Sequence, residues 1–277
     1  MIRRFVWTFA AILSASLVLA APRTSAAQGL IWSLPEEDGT WIRYEGDYRN
    51  VEARPNADQD LTLNSQRWLT ISSVGRETRE YHGKEVPCRW VEMKVETGKS
   101  SAEGVETGRF GTIIYKVLIP EQAVIGKITD ADELPVTFLP ILEGYRKLGD
   151  RPAQPVKEKV LAVYPMISLI AHYRDFEAVA KEAEPVDVKL GTVMARRYKG
   201  VKISETNTSR TKNVAELAIS DEVPFGVARW TVTIERDEKD ELEDVESFHR
   251  TTTIEVDMQA VETGSGARSA IQTPSAN

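Results

Sequence analysis

The fold is decided by one stretch, residues 223–261, which opens with VPFGVARWTVTIE (223–235). From Ala228 to Ile234 every second residue is apolar, and the same alternation returns from Ile254 to Ala260. Side chains alternate across a pleated strand, so each segment has one face to bury and one to expose. The acidic run DEKDELED (237–244) separates the two segments. The stretch therefore predicts a long antiparallel hairpin with a solvated tip.

Period-two patterns also run through the rest of the chain, and they predict strands over residues 41–48, 61–74, 77–82, 86–97, 110–119 and 186–198. The pattern fades over residues 130–183, where prolines keep elements short. We predict a helical segment there, with a helix from Pro165 through Tyr173 and a short helix over 176–183. The expected fold class is mainly β (α+β), with a curved antiparallel sheet or half-open barrel and a helical insert packed on it.

The N-terminus has the order of a secretory signal peptide. Arg3 and Arg4 precede an apolar run from Phe5 to Ala21, and small residues end at Ala27. We expect cleavage near Ala27 and export to the periplasm or the extracellular space, with no stable membrane span after cleavage. Residues 28–261 are then a single β-rich domain, and residues 262–277, rich in Gly, Ser and Thr, are predicted to be a disordered tail.

The charge balance argues against a nucleic-acid partner. Removal of residues 1–27 takes away three basic residues and no acid, which leaves 32 basic and 42 acidic residues and a net charge of −10. Nucleic-acid binding needs concentrated Lys and Arg. The sequence leaves the oligomeric state open.

The chain has no recognisable catalytic or cofactor motif. Its histidines, His82, His172 and His249, have no metal-ligand spacing, and no nucleophile elbow, phosphate loop or dinucleotide fingerprint occurs. Cys88, the single cysteine, begins a strand pattern and is interpreted as a buried, inert thiol. We therefore predict no catalytic residue, no metal site and no cofactor.

Aromatic residues in the strand patterns are the remaining candidates. Core packing explains most of them, but aromatic side chains can also line the mouth of a sheet that does not close fully. On that hypothesis Tyr44, Tyr115 and Trp230 are the candidate ligand-binding residues.

The layout resembles a known family. An exported chain of antiparallel strands, a short helical insert and the segment VPFGV (223–227) before a long strand are similar to the LolA/LolB-like periplasmic lipoprotein carriers. That resemblance implies an unclosed β-barrel covered by helices, which binds acyl chains. This sequence has no cysteine for lipid attachment near the cleavage region, and no functional residue of that family is carried over.

The leading functional hypothesis is a non-enzymatic exported protein that binds a lipid or acyl chain in a half-open barrel. An interaction or scaffold protein with a filled core is the alternative, and an extracytoplasmic hydrolase is the third hypothesis. A cavity lined by Trp and Tyr favours the first, and a filled interior with a flat apolar patch favours the second.

Overall fold

The computed structural model describes residues 29–101, 104–127, 139–157, 167–171, 173 and 176–271, which are mainly β-strand. The predicted signal peptide, residues 1–27, lies outside them. The strands are β1 (Trp41–Glu52), β2 (Leu61–Tyr81), β3 (Lys84–Ser101), β4 (Gly104–Pro120), β5 (Glu143–Leu148), β6 (Gln154–Pro155), β7 (Phe176–Ala178), β8 (Glu184–Val188), β9 (Gly191–Glu205), β10 (Ser209–Ile219), β11 (Val227–Glu238) and β12 (His249–Gly264). Short 3₁₀ turns occupy Glu121–Ala123, Pro224–Gly226 and Val245–Ser247.

The strands form one antiparallel sheet of 12 strands in the order β6-β5-β4-β3-β2-β1-β12-β11-β10-β9-β7, with β8 paired to β9 beside this path. Within the described ranges the end strands β6 and β7 do not pair, so the sheet is open. The hairpin predicted from residues 223–261 is confirmed as β11 and β12, with Trp230 opposite Met258 and Val232 opposite Val256. The predicted antiparallel β class is likewise confirmed.

The two faces of the sheet bury different amounts of apolar surface. The inner face, defined as the side that carries Tyr44, Leu69 and Trp230, belongs to one large hydrophobic cluster. The outer face, the opposite side, carries a smaller cluster around Cys88 and Trp90 on β3. The period-two alternation of the sequence therefore translates directly into these two faces.

Two strands that were predicted separately form a single strand in the structure. We expected Gly75 to separate strands over 61–74 and 77–82, but β2 runs through it. The register with β3 shifts between Ser73 and Arg76, and Gly75 has a φ of 144°. A glycine in such a bulge takes a backbone conformation that other residues avoid, so the strand bends without ending.

The described residues of 130–183 do not support the predicted helical insert. Residues 130–138, 158–166, 172, 174 and 175 lie outside the described part, and β5, β6 and β7 occupy much of the rest. A helix through Tyr173 is wrong, because only residues 167–168 are helical in the described part and Leu169 turns away with a φ of 62°. The helix over 176–183 is also wrong, because Phe176 pairs with Gly200 of β9. No helix in the described ranges is long and apolar enough to cross a membrane.

The predicted disordered tail is ordered over much of its length. Residues 262–264 complete β12, Ala267 donates to the carbonyl of Gly39, and residues 269–271 lie on the outer face of β3 and β4. Ile271 is 2 % exposed. Sequence composition does not reveal this docking, because the buried partners of the tail are about 180 residues away in the chain. Residues 272–277 lie outside the described part.

Candidate ligand-binding face

The predicted aromatic residues all lie on the inner face. Tyr44 on β1 and Trp230 on β11 meet edge to face with ring centroids 5.0 Å apart. Tyr115 belongs to the same cluster on β4, three strands from Tyr44. Their exposures are 0 % for Tyr44, 3 % for Tyr115 and 1 % for Trp230. All three side chains are therefore fully packed in this structure.

The polar ends of these aromatic side chains are satisfied within the fold. The Tyr44 hydroxyl donates to the carbonyl of Val227 at 2.8 Å, and burial raises the pKa of Tyr44 far above its usual range. The Trp230 indole donates to the carbonyl of Ser168 at 3.2 Å. An aromatic ring with a satisfied polar end is typical of a core position, and it also leaves an apolar ring available to a ligand if its covering residues move.

A short segment covers this part of the inner face. We call residues 167–171 with Tyr173 the inner cover. Side chains of the sheet hold its successive carbonyls: Arg67 donates to that of Ile167 at 3.2 Å, Trp230 to that of Ser168, and Asn213 to that of Leu169 at 2.9 Å. The Tyr173 hydroxyl donates back to Asn213 at 2.6 Å.

The inner cover bridges strands that are not neighbours in the sheet. Arg67 lies on β2 and Trp230 on β11, which are separated by β1 and β12. Three strand spacings amount to about 14 Å on a flat sheet, whereas adjacent Cα atoms are only about 3.8 Å apart. Side chains from both strands nevertheless reach the adjacent carbonyls of Ile167 and Ser168. The inner cover therefore lies across β1 and β12 and connects the strands on either side of them.

An aromatic cluster beside the inner cover was missed from the sequence. Trp32, which precedes the first strand, stacks on Tyr198 of β9 at 5.9 Å and lies 6.3 Å from Phe176. Its backbone N–H donates to the carbonyl of Phe225, a buried residue with a φ of 64°. The segment 29–34 has no strand period, so only the three-dimensional structure assigns it to the core.

The inner face carries one unusual charge. Arg67 is in phase with Leu69 along β2, and its guanidinium carbon lies 4.6 Å from the centre of the Tyr48 ring. Its Nε donates to the Thr97 hydroxyl at 3.3 Å. Burial lowers the pKa of Arg67, while nearby Tyr48 opposes the shift. The cation is therefore held among neutral groups.

The outer face offers polar hollows instead. One, of about 490 Å³, lies between the β8–β9 hairpin and strands β10 and β11. Its charged lining includes Arg197 and Arg229, which pair with Glu184 at 3.6 Å and Asp257 at 2.6 Å. Ion pairs of this kind suit a solvated surface better than an apolar ligand.

The described residues contain no group of three or more metal-ligating side chains. Cys88 is buried, and burial raises the pKa of its thiol, which disfavours the reactive thiolate. Comparison with models of protein families and with curated proteins gives no match to the chain.

Proposed function

We propose that the chain is an exported, non-enzymatic protein that binds a lipid or acyl chain between the concave inner face of a half-open β-barrel and the inner cover. The observation that carries this proposal is the way the cover is attached. Its carbonyls accept single hydrogen bonds from side chains of the sheet, and the described residues 167–171 form no strand ladder with it.

Such a cover can move without disrupting the sheet. Losing it breaks side-chain hydrogen bonds that contribute about 1 kcal/mol each and exposes the buried side chains of Ile167, Ile170 and Tyr173, but it leaves the backbone ladders of the sheet intact. Its departure would expose Trp230, which now donates to the Ser168 carbonyl, and part of the apolar cluster to which Ile167 and Ile170 belong. An acyl chain could replace those contacts with a similar apolar area.

A filled scaffold remains the second candidate, and one observation favours it. Tyr44, Tyr115 and Trp230 are each at most 3 % exposed. An interior packed by its own side chains needs no ligand for stability. The two candidates differ in one respect. In a carrier the inner cover leaves the sheet when ligand binds, and in a scaffold it stays in place.

Native mass spectrometry of the exported protein, purified from its own host, separates the two candidates. The carrier predicts an added mass that disappears on denaturation and that lipid extraction identifies as an acyl species. As a control, protein that has been delipidated and refolded is incubated with palmitic acid and should regain one equivalent. A bare mass before and after incubation would refute the carrier and favour the scaffold.

A further inference from the structure

Among the described arginines, Arg67 combines a position on the apolar inner face with the absence of a carboxylate partner. Nine of them form ion pairs with carboxylates: Arg43, Arg49, Arg76, Arg79, Arg89, Arg197, Arg210, Arg229 and Arg250. Arg67 forms none within these ranges, although it lies on the apolar inner face. Its partners there are the Thr97 hydroxyl, the Ile167 carbonyl and the Tyr48 ring.

The neutral partners of the Arg67 guanidinium compensate only in part for its lost hydration. Removing a charge from water is costly unless a counter-charge and hydrogen bonds replace the lost hydration. Two neutral acceptors and an aromatic ring supply part of that replacement. Among the described residues, hydrogen bonds engage Nε and Nη1 of Arg67 and leave Nη2 without one. Nη2 is therefore available to donate to an anion that reaches the inner face.

We propose that Arg67 is the headgroup site of the inner face and binds the carboxylate or phosphate of an anionic amphiphile whose apolar chain lies against Leu69 and Trp230. This inference rests on the proposed carrier function and adds the class of ligand. The planar guanidinium forms paired, charge-assisted hydrogen bonds with either anion. Leu69 continues the same stripe towards the aromatic pair of Tyr44 and Trp230.

The headgroup site also connects ligand binding to the inner cover. Nη1 of Arg67 now donates to the carbonyl of Ile167, so an anion that takes this donor competes with the cover. A charged acceptor forms the stronger hydrogen bond with a guanidinium. Binding of the headgroup therefore loosens one of the attachments that keep the apolar face closed, whereas a neutral ligand has no such effect.

Fluorescence titration with cis-parinaric acid and its methyl ester tests the inference, because the two probes share the chain and differ in the charge. We expect the wild-type protein to prefer the acid by roughly 10- to 100-fold in Kd. Arg67→Gln should remove this preference, and the ester should bind at least as tightly as to the wild type, because the variant also lacks the donor to the Ile167 carbonyl. Arg67→Lys, which keeps the charge but loses the planar fork, should retain part of the preference.

Arg49→Gln is the matched control, because Arg49 lies on the outer face in an exposed ion pair with Glu255. It should leave the preference unchanged. Competition by palmitate and by palmitoyl lysophosphatidic acid then tells whether the preferred anion is a carboxylate or a phosphate. Thermal unfolding of each variant verifies folding, which Arg67→Gln should preserve since it removes a cation without an ionic partner.

The outcomes separate the two levels of the proposal. If neither the acid nor the ester binds, the carrier function itself fails. If both bind with equal affinity to the wild type, or if Arg67→Gln keeps the preference for the acid, the carrier stands and the headgroup site is overturned. Displacement of the bound acid by millimolar inorganic phosphate alone would show a site for free anions, which would also overturn the assignment to an amphiphile.

Discussion

Each face of the sheet is covered by a segment of the chain, and the two covers are held in opposite ways. On the inner face, Arg67, Asn213 and Trp230 donate to carbonyls of residues 167–169. On the outer face, Glu92 accepts from the backbone N–H groups of residues 270–271, and Lys116 donates to the carbonyl of Ile271 at 3.2 Å.

The difference lies in the charges. Glu92 and Lys116 are cross-strand neighbours, so the outer site contains both signs of charge and satisfies the N–H and C=O groups of the tail together. The inner site has a cation and neutral donors only. The attachment of residues 269–271 therefore pairs both signs of charge, whereas Arg67 at the inner cover has no carboxylate partner among the described residues. We expect the attachment of residues 269–271 to be the more stable of the two and the inner cover to be the more easily displaced.

Glu92→Ala should have the largest effect on this contrast. It removes the acceptor of two backbone N–H groups and one of the two acceptors of the Ser269 hydroxyl, and it leaves buried Lys116 without its neighbouring negative charge. We expect a loss of about 3 kcal/mol in the free energy of unfolding, measured in urea. Proteolysis near the C-terminus should become faster.

The control for that variant is Glu255→Ala, which breaks the exposed pair with Arg49 and should cost less than about 1 kcal/mol. Similar losses in the two variants would show that the tail contributes little to stability, and the contrast between the covers would then be lost.

Asn213→Ala should have a smaller effect, confined to the inner cover. Asn213 donates to the carbonyl of Leu169 and accepts from the Tyr173 hydroxyl, whose pKa burial raises above its usual range. Loss of both bonds should lower stability by about 1–2 kcal/mol. Hydrogen exchange at the amide of Ala171, which now donates to the Tyr173 hydroxyl, should accelerate while exchange in β2 and β3 stays slow.

Asn64→Ala, at an exposed position of β2, is the matched control and should change neither property. If Asn213→Ala accelerates exchange throughout the sheet, the inner cover is part of the cooperative core and not a replaceable layer.

The smallest effect concerns pH. Burial lowers the pKa of Lys116 below its ordinary value of 10.5, and the charge of Glu92 opposes this shift only in part. Between the lowered pKa and 10.5 the unfolded chain binds more protons at this site than the folded chain, so this residue makes stability increase with pH across that window. Lys116→Met should lack this increase. The measurement is the free energy of unfolding of the wild type and of the variant at a series of pH values. If the difference in stability between the wild type and the variant were the same at every pH, Lys116 would have the same pKa in the folded and unfolded states.

Much of the fold could be predicted from the sequence because a period of two is a local signal. The alternation in β11 and β12 located the hairpin, its acidic tip and the inward position of Trp230. The same period placed Tyr44 and Tyr115 in strands. The prediction of a helical insert was wrong because prolines and a fading period indicate only that residues 130–183 lack long regular strands. They do not describe the edge pairing that Phe176 adopts.

The polar part of the candidate site was harder to predict. Arg67 is in phase with Leu69 and Ile71, and a charged residue within an apolar stripe was the available signal. Its neutral partners come from β3 and from residue 167, which no local pattern connects to it. Glu92 and Lys116 gave no signal, since both alternate correctly as surface residues until the distant tail buries them.

The order of the strands has a consequence for the kinetics of folding. The central pair of the sheet is β1 with β12, where Trp41 lies opposite Gly264, so the seam joins opposite ends of the described chain. Strands β1–β5 and β9–β12 pair mainly with neighbours in sequence and can form early. The seam must then close a loop of about 200 residues, and contacts of such long range form slowly. Until then β1 presents an unpaired edge, a site for association with other chains. We expect refolding to be slow and its yield to fall as protein concentration rises; a yield independent of concentration would contradict this view.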